Sequence, residues 1–288
     1  MAVKAAAAKS EQDTNRAVDD FYVGRLLERV FSQEEPRFVL KGGRSILART
    51  INARYTRDTD FLYKGDSLDE AADELIRLAS LDLRDHIEFR FKSKEPIAQN
   101  QEYRDGYHVI FEILVDGTRN KGEAAVDLVV DQISLDDVEQ ITPANRLVIN
   151  RLPVFDYHIY PATCAIADKV CATMQLYSGR ESSRVRDLVD LIVYLTTERF
   201  EGKPLSRRLY HEAGMRHLSP FASFKVPSAW YSNPYSASYA KQARNAKFSE
   251  EYHRVRAAET LVKKCIDPAI EKAVDSYWWN PVELRWEN

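Results

Sequence analysis

The sequence predicts an α+β fold: a mixed, partly antiparallel sheet with flanking helices over residues 1–160, then a helical domain over residues 161–288. Three observations predict it. Short apolar runs of strand length alternate with helical patterns only before Pro161. Beyond Pro161 the apolar residues recur at helical spacing. Between the two regimes, Pro143, Pro153 and Pro161 punctuate an irregular stretch.

The elements follow in order. The opening MAVKAAAAKSEQDTNR is small and polar, lacks the apolar stretch of a signal peptide, and is expected to fray. A helix is expected from Asp19 to Phe31, with Phe21, Leu26, Leu27, Val30 and Phe31 on its apolar side. RFVL then reads as a short buried strand ending at Gly42-Gly43, RSILARTINA as a helix and TRDTDFLY as a strand. In SLDEAADELIRLAS, Ser67 and Glu70 form a capping box, and Leu68, Ala72, Leu75 and Ala79 share a face. IEFRFKS, YHVIFEILV and EAAVDLVVD read as strands, the last two joined through Asp116-Gly117, a hairpin turn signal. After Pro161, helices are expected over ATCAIADKVCATMQLYS, SSRVRDLVDLIVYLTTERF, Ser206 to Arg216 and Ala237 to about Val274. The aromatic, proline-rich SPFASFKVPSAWYSNPYS is the long loop among them.

Composition bounds the function. Hydrophobic residues are 44% and charged residues 30% of the 288, an ordinary globular mix. No apolar run approaches the roughly 18 residues that span a membrane. The cysteines, Cys164, Cys171 and Cys265, are odd in number and lack metal-ligand spacing, which favours a reducing, cytoplasmic setting. The net charge of −3 hides an asymmetry: Glu201–Cys265 carries 12 Lys/Arg against 5 Asp/Glu, so it is +7 and the remainder −10. Such a segment suits a polyanionic partner or a solvated helical surface.

The candidate chemistry starts at Gly42-Gly43. Strand, Gly-Gly, helix brings backbone N–H groups near phosphate oxygens, because glycine has no Cβ and a helix N-terminus favours anions. Asp58 and Asp60 are two apart on an expected strand and leave the same face. Side-by-side carboxylates repel unless a cation lies between them or one is protonated; a solvated strand end is the simpler setting for an isolated pair. Asp127 is a lone carboxylate in the apolar run AAVDLVVD, where burial is costly without a partner. A neighbouring strand bearing Asp58 and Asp60 would explain it, with the three sharing one or two hard divalent ions. Asp131 competes for this role but ends the strand, where a turn accounts for it.

Gly-Gly, helix, D-x-D and a later strand aspartate together resemble the polymerase-β-like nucleotidyltransferase superfamily. GGRSILAR…RYTRDTDF is more narrowly similar to the AbiEii/AbiGii nucleotidyltransferase toxins, which include the mycobacterial MenT toxins of type IV toxin–antitoxin systems. Arg54, Thr56, Asp58 and Asp60 occupy their Arg-x-Ser/Thr-x-Asp-x-Asp strand. Lys169 fits their helix lysine. Arg184, Arg186, Asp187 and Asp190 fit their Arg-x-Lys-Asp-x-x-Asp helix, with Arg186 where lysine is usual and Arg44 where a small residue is common. The likeness runs from about Arg37 to Leu195.

The resemblance implies a polymerase-β-like fold and an enzyme. Asp58, Asp60 and Asp127 would hold Mg²⁺ or Mn²⁺; Lys169 and Asp187 join them as catalytic residues. Gly42, Gly43, Arg44, Thr56, Lys169, Arg184, Arg186 and Asp190 would bind the nucleoside triphosphate. Read from the residues alone, Lys169 is also a snorkelling surface lysine, and Arg184, Asp187 and Asp190 an ion-pair ladder. The acceptor implied is the 3′ end of tRNA, the outcome growth arrest, and the further partner a separately encoded antitoxin, with no membrane involved. Arg207, Arg208, Lys241, Arg244, Lys247, Arg254 and Arg256 would contact the RNA backbone. Trp230, Tyr231, Tyr235 and Tyr239 either stack on bases or pack their loop. A protein or small-molecule acceptor, and a non-catalytic RNA-binding scaffold, are the alternatives.

Overall fold

The structure is a computed structural model that describes residues 2–10, 13–97, 106–130 and 138–288. Asp131 lies outside them. The chain divides into two compact units: Met1–Ile51 with Tyr55–Tyr160, and Asn52–Arg54 with Pro161–Asn288.

The first unit runs α1 (Ala2–Ala7), α2 (Thr14–Val30), β1 (Phe38–Lys41), α3 (Gly42–Arg49), β2 (Thr59–Tyr63), α4 (Leu68–Ala79), β3 (Ile87–Pro96), β4 (Gly106–Val115), β5 (Arg119–Val130), β6 (Glu139–Ile141) and β7 (Tyr157–Ile159). Its strands form one mixed sheet in the order β3-β4-β5-β2-β1-β7-β6. β5 and β2 are parallel, as are β1 and β7; the other neighbours are antiparallel. One face is covered by α2 and α4. Phe21, Leu26, Leu27, Val30 and Phe31 of α2 pack with Phe38, Leu40, Phe61, Val109, Phe111, Val126 and Leu128 of the sheet and Leu75 and Leu78 of α4. Period-two alternation then commits the intervening strand residues to the opposite face. Ser67 caps α4 by accepting from the Glu70 N–H. Asp116 and Gly117 turn the β4–β5 hairpin at φ 51° and 70°.

α2 also buries charge. Arg25 and Arg29 converge on Asp85 at 2.7 and 2.9 Å, with all three side chains at 4% exposure or less. Burial drives the Asp85 carboxyl upward, but the Arg29 and Arg25 contacts outweigh it and hold the group below its ordinary range. Replacing Asp85 with alanine strands two buried guanidinium groups, so a loss of about 3–5 kcal/mol is expected in denaturant unfolding. A loss under 1 kcal/mol would show that water replaces the carboxylate.

Two expectations for this unit are corrected. The opening stretch forms α1 rather than fraying, since alanine is the strongest helix former and Ala7 is fully buried. The irregular region before Pro161 contributes β6 and β7, each three residues long and below the length at which alternation is readable.

The second unit contains α5 (Ala162–Met174), β8 (Leu176–Tyr177), β9 (Arg180–Glu181), α6 (Val185–Thr197), β10 (Phe200–Glu201), α7 (Gly202–Met215), α8 (Tyr235–Asn245), α9 (Val255–Ile270), β11 (Trp278–Asn280) and β12 (Arg285–Glu287). It is helical but not wholly so. β10, β11 and β12 form an antiparallel sheet that buries Trp279, whose Nε1 donates to the Leu195 carbonyl at 2.8 Å. The helix expected over Ala237 to Val274 is two helices. The chain breaks after Asn245 and makes a short 3₁₀ turn at Glu250–His253, where the buried Tyr239 donates to the Tyr252 carbonyl at 2.7 Å.

Candidate active site

In the first unit, four side chains from adjacent strands form one row. Lys41 on β1 is paired in register with Asp60 on β2, Asp60 with Asp127 on β5, and Asp127 with His108 on β4. The next row, Leu40, Phe61 and Leu128, belongs to the hydrophobic core, so the charged row occupies the sheet's other face. Asp60 and Asp127 are half-buried there, not sealed in the core as AAVDLVVD suggests. Asp58 is exposed and sits one residue before β2. The strand starts later than expected because β1 gives way to α3 at Gly42, and its ladder ends at the Lys41–Asp60 pair.

Gly42 makes room for Asp60. Its φ is +64°, and a Cβ on it would lie 1.9 Å from the Asp60 carboxylate. The missing side chain is therefore the space Asp60 occupies. The following residue, Gly43, is buried in the first turn of α3, whose N-cap is Lys41, a side chain with no acceptor for the helix N–H groups. A Gly42→Ala substitution meets both a disfavoured backbone and a carboxylate that must move. Nucleotide transfer is expected to fall at least about tenfold, matching roughly 1.4 kcal/mol or more of misplacement, with the same fall in metal affinity. Unchanged transfer would mean that Asp60 has slack.

Arg44 and Thr56 are both buried. Arg44 is buried, pairs with Asp20 at 3.2 Å and donates to the Thr56 carbonyl at 3.2 Å. Burial nonetheless holds the Asp20 carboxyl above its ordinary value, with Arg44 only partly offsetting it. Arg44 thus ties α2 to the segment leading into Asp58. Thr56 is buried at 6% exposure and serves that strut through its backbone.

The second unit gathers its own charged cluster. Lys169 on α5 reaches Asp190 on α6 at 2.7 Å and Asp187 at 3.4 Å. Arg54 grips Asp190 with two hydrogen bonds, 2.8 and 2.9 Å, and Arg184 reaches Asp187 at 2.6 Å. Asp187, Asp190 and Lys169 are 2%, 1% and 12% exposed, so this is neither a snorkelling lysine nor a surface ladder. Burial alone draws the Lys169 ammonium down, but Asp190 and Asp187 outweigh it and hold it above its ordinary value. Burial likewise raises the Asp187 carboxyl, and Lys169 and Arg184 reverse this. Arg54, Lys169 and Arg184 thus all converge on the Asp187–Asp190 pair. Arg186 is exposed on α6, outside this buried group.

The carboxylates of the first unit suit a hard divalent ion by chemistry, all three offering oxygen. Among the described residues no three His, Cys, Asp or Glu side chains already gather about one point. Mg²⁺ does not require that, since it binds through one or two carboxylates and completes its shell with water and substrate phosphates. The in-register Asp60–Asp127 pair fits that demand.

The family model for the nucleotidyl transferase AbiEii toxin, type IV toxin–antitoxin system, matches residues 25–274. The chain belongs to this family. It is accordingly a nucleotidyltransferase, and the AbiEii family implies an antitoxin partner. Among solved structures, MenT4, a nucleotidyltransferase toxin from Mycobacterium tuberculosis H37Rv, is 17% identical over 98% of each chain with a TM-score of 0.52, which shows a shared fold. JHP933 from Helicobacter pylori is 15% identical over 92% of this chain and 95% of its own, with a TM-score of 0.43. No curated protein matches the chain significantly.

On this AbiEii scaffold the basic segment divides. Arg207, Lys241, Arg244, Lys247, Arg254 and Arg256 are exposed. Arg208 is not a surface cation: it is 7% exposed and paired with Glu212 at 2.7 Å. Trp230 and Tyr239 are fully buried, Trp230 donating to the Ser182 carbonyl at 2.8 Å, so both pack the loop and neither stacks on a base. Tyr231 stays 42% exposed. Sequence reasoning missed Lys41 and His108 in the carboxylate row and the clamp from Arg54 to Asp190. Strand register exposes the first two, and no pattern within a single strand carries register. Among the described residues, no helix is long and apolar enough to cross a membrane.

Proposed function

We propose that this AbiEii-family chain is a cytoplasmic, Mg²⁺- or Mn²⁺-dependent toxin that transfers nucleotides from a nucleoside triphosphate to the 3′ end of tRNA, blocking translation. The observation that carries the reading is the in-register pair Asp60–Asp127, with Asp58 just upstream. A bound divalent ion would polarise the phosphates and favour ionisation of an attacking hydroxyl. Asp58 and Asp60 would hold the ion at the triphosphate, and Asp127 the one at the acceptor. The acceptor hydroxyl oxygen bonds to the α-phosphorus, the α–β phosphoanhydride breaks, pyrophosphate leaves and the hydroxyl proton passes to solvent. Lys169, Arg54 and Arg184 would supply positive charge toward the triphosphate, with Asp187 and Asp190 setting their positions. The exposed Arg207, Lys241, Arg244, Lys247, Arg254 and Arg256 would track an RNA backbone.

The test is transfer of α-labelled nucleoside triphosphates, each separately, to total tRNA with Mg²⁺. Label on RNA that disappears with a chelator supports the reading. Label on protein or on a small molecule instead would replace the acceptor, and no label anywhere would favour a non-catalytic RNA-binding protein. If the basic face binds RNA, reversing Lys241 and Arg244 to glutamate raises the RNA KM without moving the triphosphate KM. It also lowers the salt slope of RNA binding by about 0.7–0.9 for each contact removed. An unchanged salt slope would place the RNA elsewhere.

A further inference from the structure

We propose that His108 is a positioning residue for nucleotidyl transfer: its Nδ1–H holds Asp127 by one oxygen, so that Asp127 meets the divalent ion through the other. The inference rests on the metal-dependent reading above. His108 and Asp127 are register partners on β4 and β5, with Nδ1 and Oδ1 2.5 Å apart. A carboxylate only accepts, so the ring nitrogen is the donor and the tautomer is set.

A purely structural role explains the contact poorly. β4 and β5 pair from Gly106–Val129 to Val115–Arg119, and His108–Asp127 is the third pair in from the open end with ladder on both sides of it, so the pairing there does not depend on a side-chain brace. Both side chains are also about two-fifths exposed, 42% and 40%, where an ion pair or hydrogen bond adds little to stability. Orientation is different. Asp127 stands beside Asp60 in register, and without a metal like charge turns the two apart. A hydrogen bond from the opposite flank limits where Asp127 turns. Lys41 stands on the far side of Asp60, so the carboxylate pair is bracketed by two donor-bearing residues. Partners one step out from a metal ligand typically govern affinity or activity by about 10–100-fold.

The experiment is titration of the full-length protein with Mn²⁺ alone, followed by electron paramagnetic resonance, on the wild type, Asp60→Ala, His108→Ala and His108→Asn. Asparagine places an amide N–H where Nδ1 lies, so it retains the donor. The expected result is Mn²⁺ binding that Asp60→Ala abolishes, His108→Ala weakens about tenfold or more, and His108→Asn restores to within about threefold, with thermal midpoints alike. The same ordering is expected in kcat, with the triphosphate KM little changed. Equal Mn²⁺ affinity in the wild type and His108→Ala overturns the role of His108 while leaving the carboxylate reading in place. Equal weakening by alanine and asparagine overturns the donor argument. Wild type that binds no Mn²⁺, or binds it as well without Asp60, overturns the metal reading and this inference with it.

Discussion

Asp60→Asn is expected to reduce nucleotide transfer by about a thousandfold or more while leaving the thermal midpoint unchanged or slightly raised. The carboxylate sits in the space left by Gly42, beside Asp127 and Lys41 in the sheet. The carboxamide has the same shape, so the backbone at Gly42 is undisturbed. What changes is charge and donor quality: an amide is a weak ligand for a hard divalent ion. Metal stabilisation of a phosphoryl transition state is worth several kcal/mol, and about 4 kcal/mol corresponds to about a thousandfold in rate. Stability moves the other way because removing one of two adjacent carboxylates relieves repulsion. Single-turnover transfer with saturating triphosphate, beside a melting curve, separates the two. Activity within about tenfold of wild type would remove Asp60 from the chemistry.

Such a variant can be chosen from the sequence because Gly-Gly, D-x-D and the later Asp127 occur in the order that resembles a nucleotidyltransferase, whereas the D-x-D alone reads more simply as a solvated strand end. The helices α2 and α4 are legible from local pattern: each carries an apolar stripe, and Ser67 caps α4. What stayed hidden depends on long-range pairing. Nothing within YHVIFEILV says that its histidine faces Asp127 rather than the core, since sliding the register by one residue reverses the face. Arg44 looked available for phosphate because its partner, Asp20, is on another helix. The three-residue strands β6, β7, β11 and β12 exist by pairing with neighbours, not by their own pattern. The segment Ala237–Val274 read as one helix because α8 and α9 have compatible periodicity on either side of the break.

In the second unit the largest stability effect is expected from Asp190→Ala. Asp190 is almost fully buried and holds two cations, Arg54 with paired hydrogen bonds and Lys169 at 2.7 Å. Alanine leaves both charges buried with only Asp187 in reach of Lys169, so a loss of about 3–5 kcal/mol follows, seen as a midpoint lower by roughly 10 °C. Replacing the pair together, Asp190→Leu with Lys169→Met, removes the lysine charge with its partner but still takes Asp190 from Arg54, and is expected to recover about half of that loss, because apolar groups of similar volume commonly match a buried ion pair. The recovered variant then isolates function: if Lys169 supplies charge toward the triphosphate, the protein is folded yet does not transfer nucleotide. A folded, active double variant would reduce the cluster to scaffolding. Acid gives an independent check through Asp187. Its folded value is depressed below the ordinary 3.8, so its contribution is fully present above that pH and is lost as pH falls through the folded value. Lys169, raised above its ordinary 10.5, contributes fully below that pH and loses its contribution as pH rises through its folded value. The cluster therefore supports the second unit across the whole neutral range. Replacing Asp187 with asparagine should flatten the stability profile at its acid end, and an unchanged acid limb would show that other carboxylates set it.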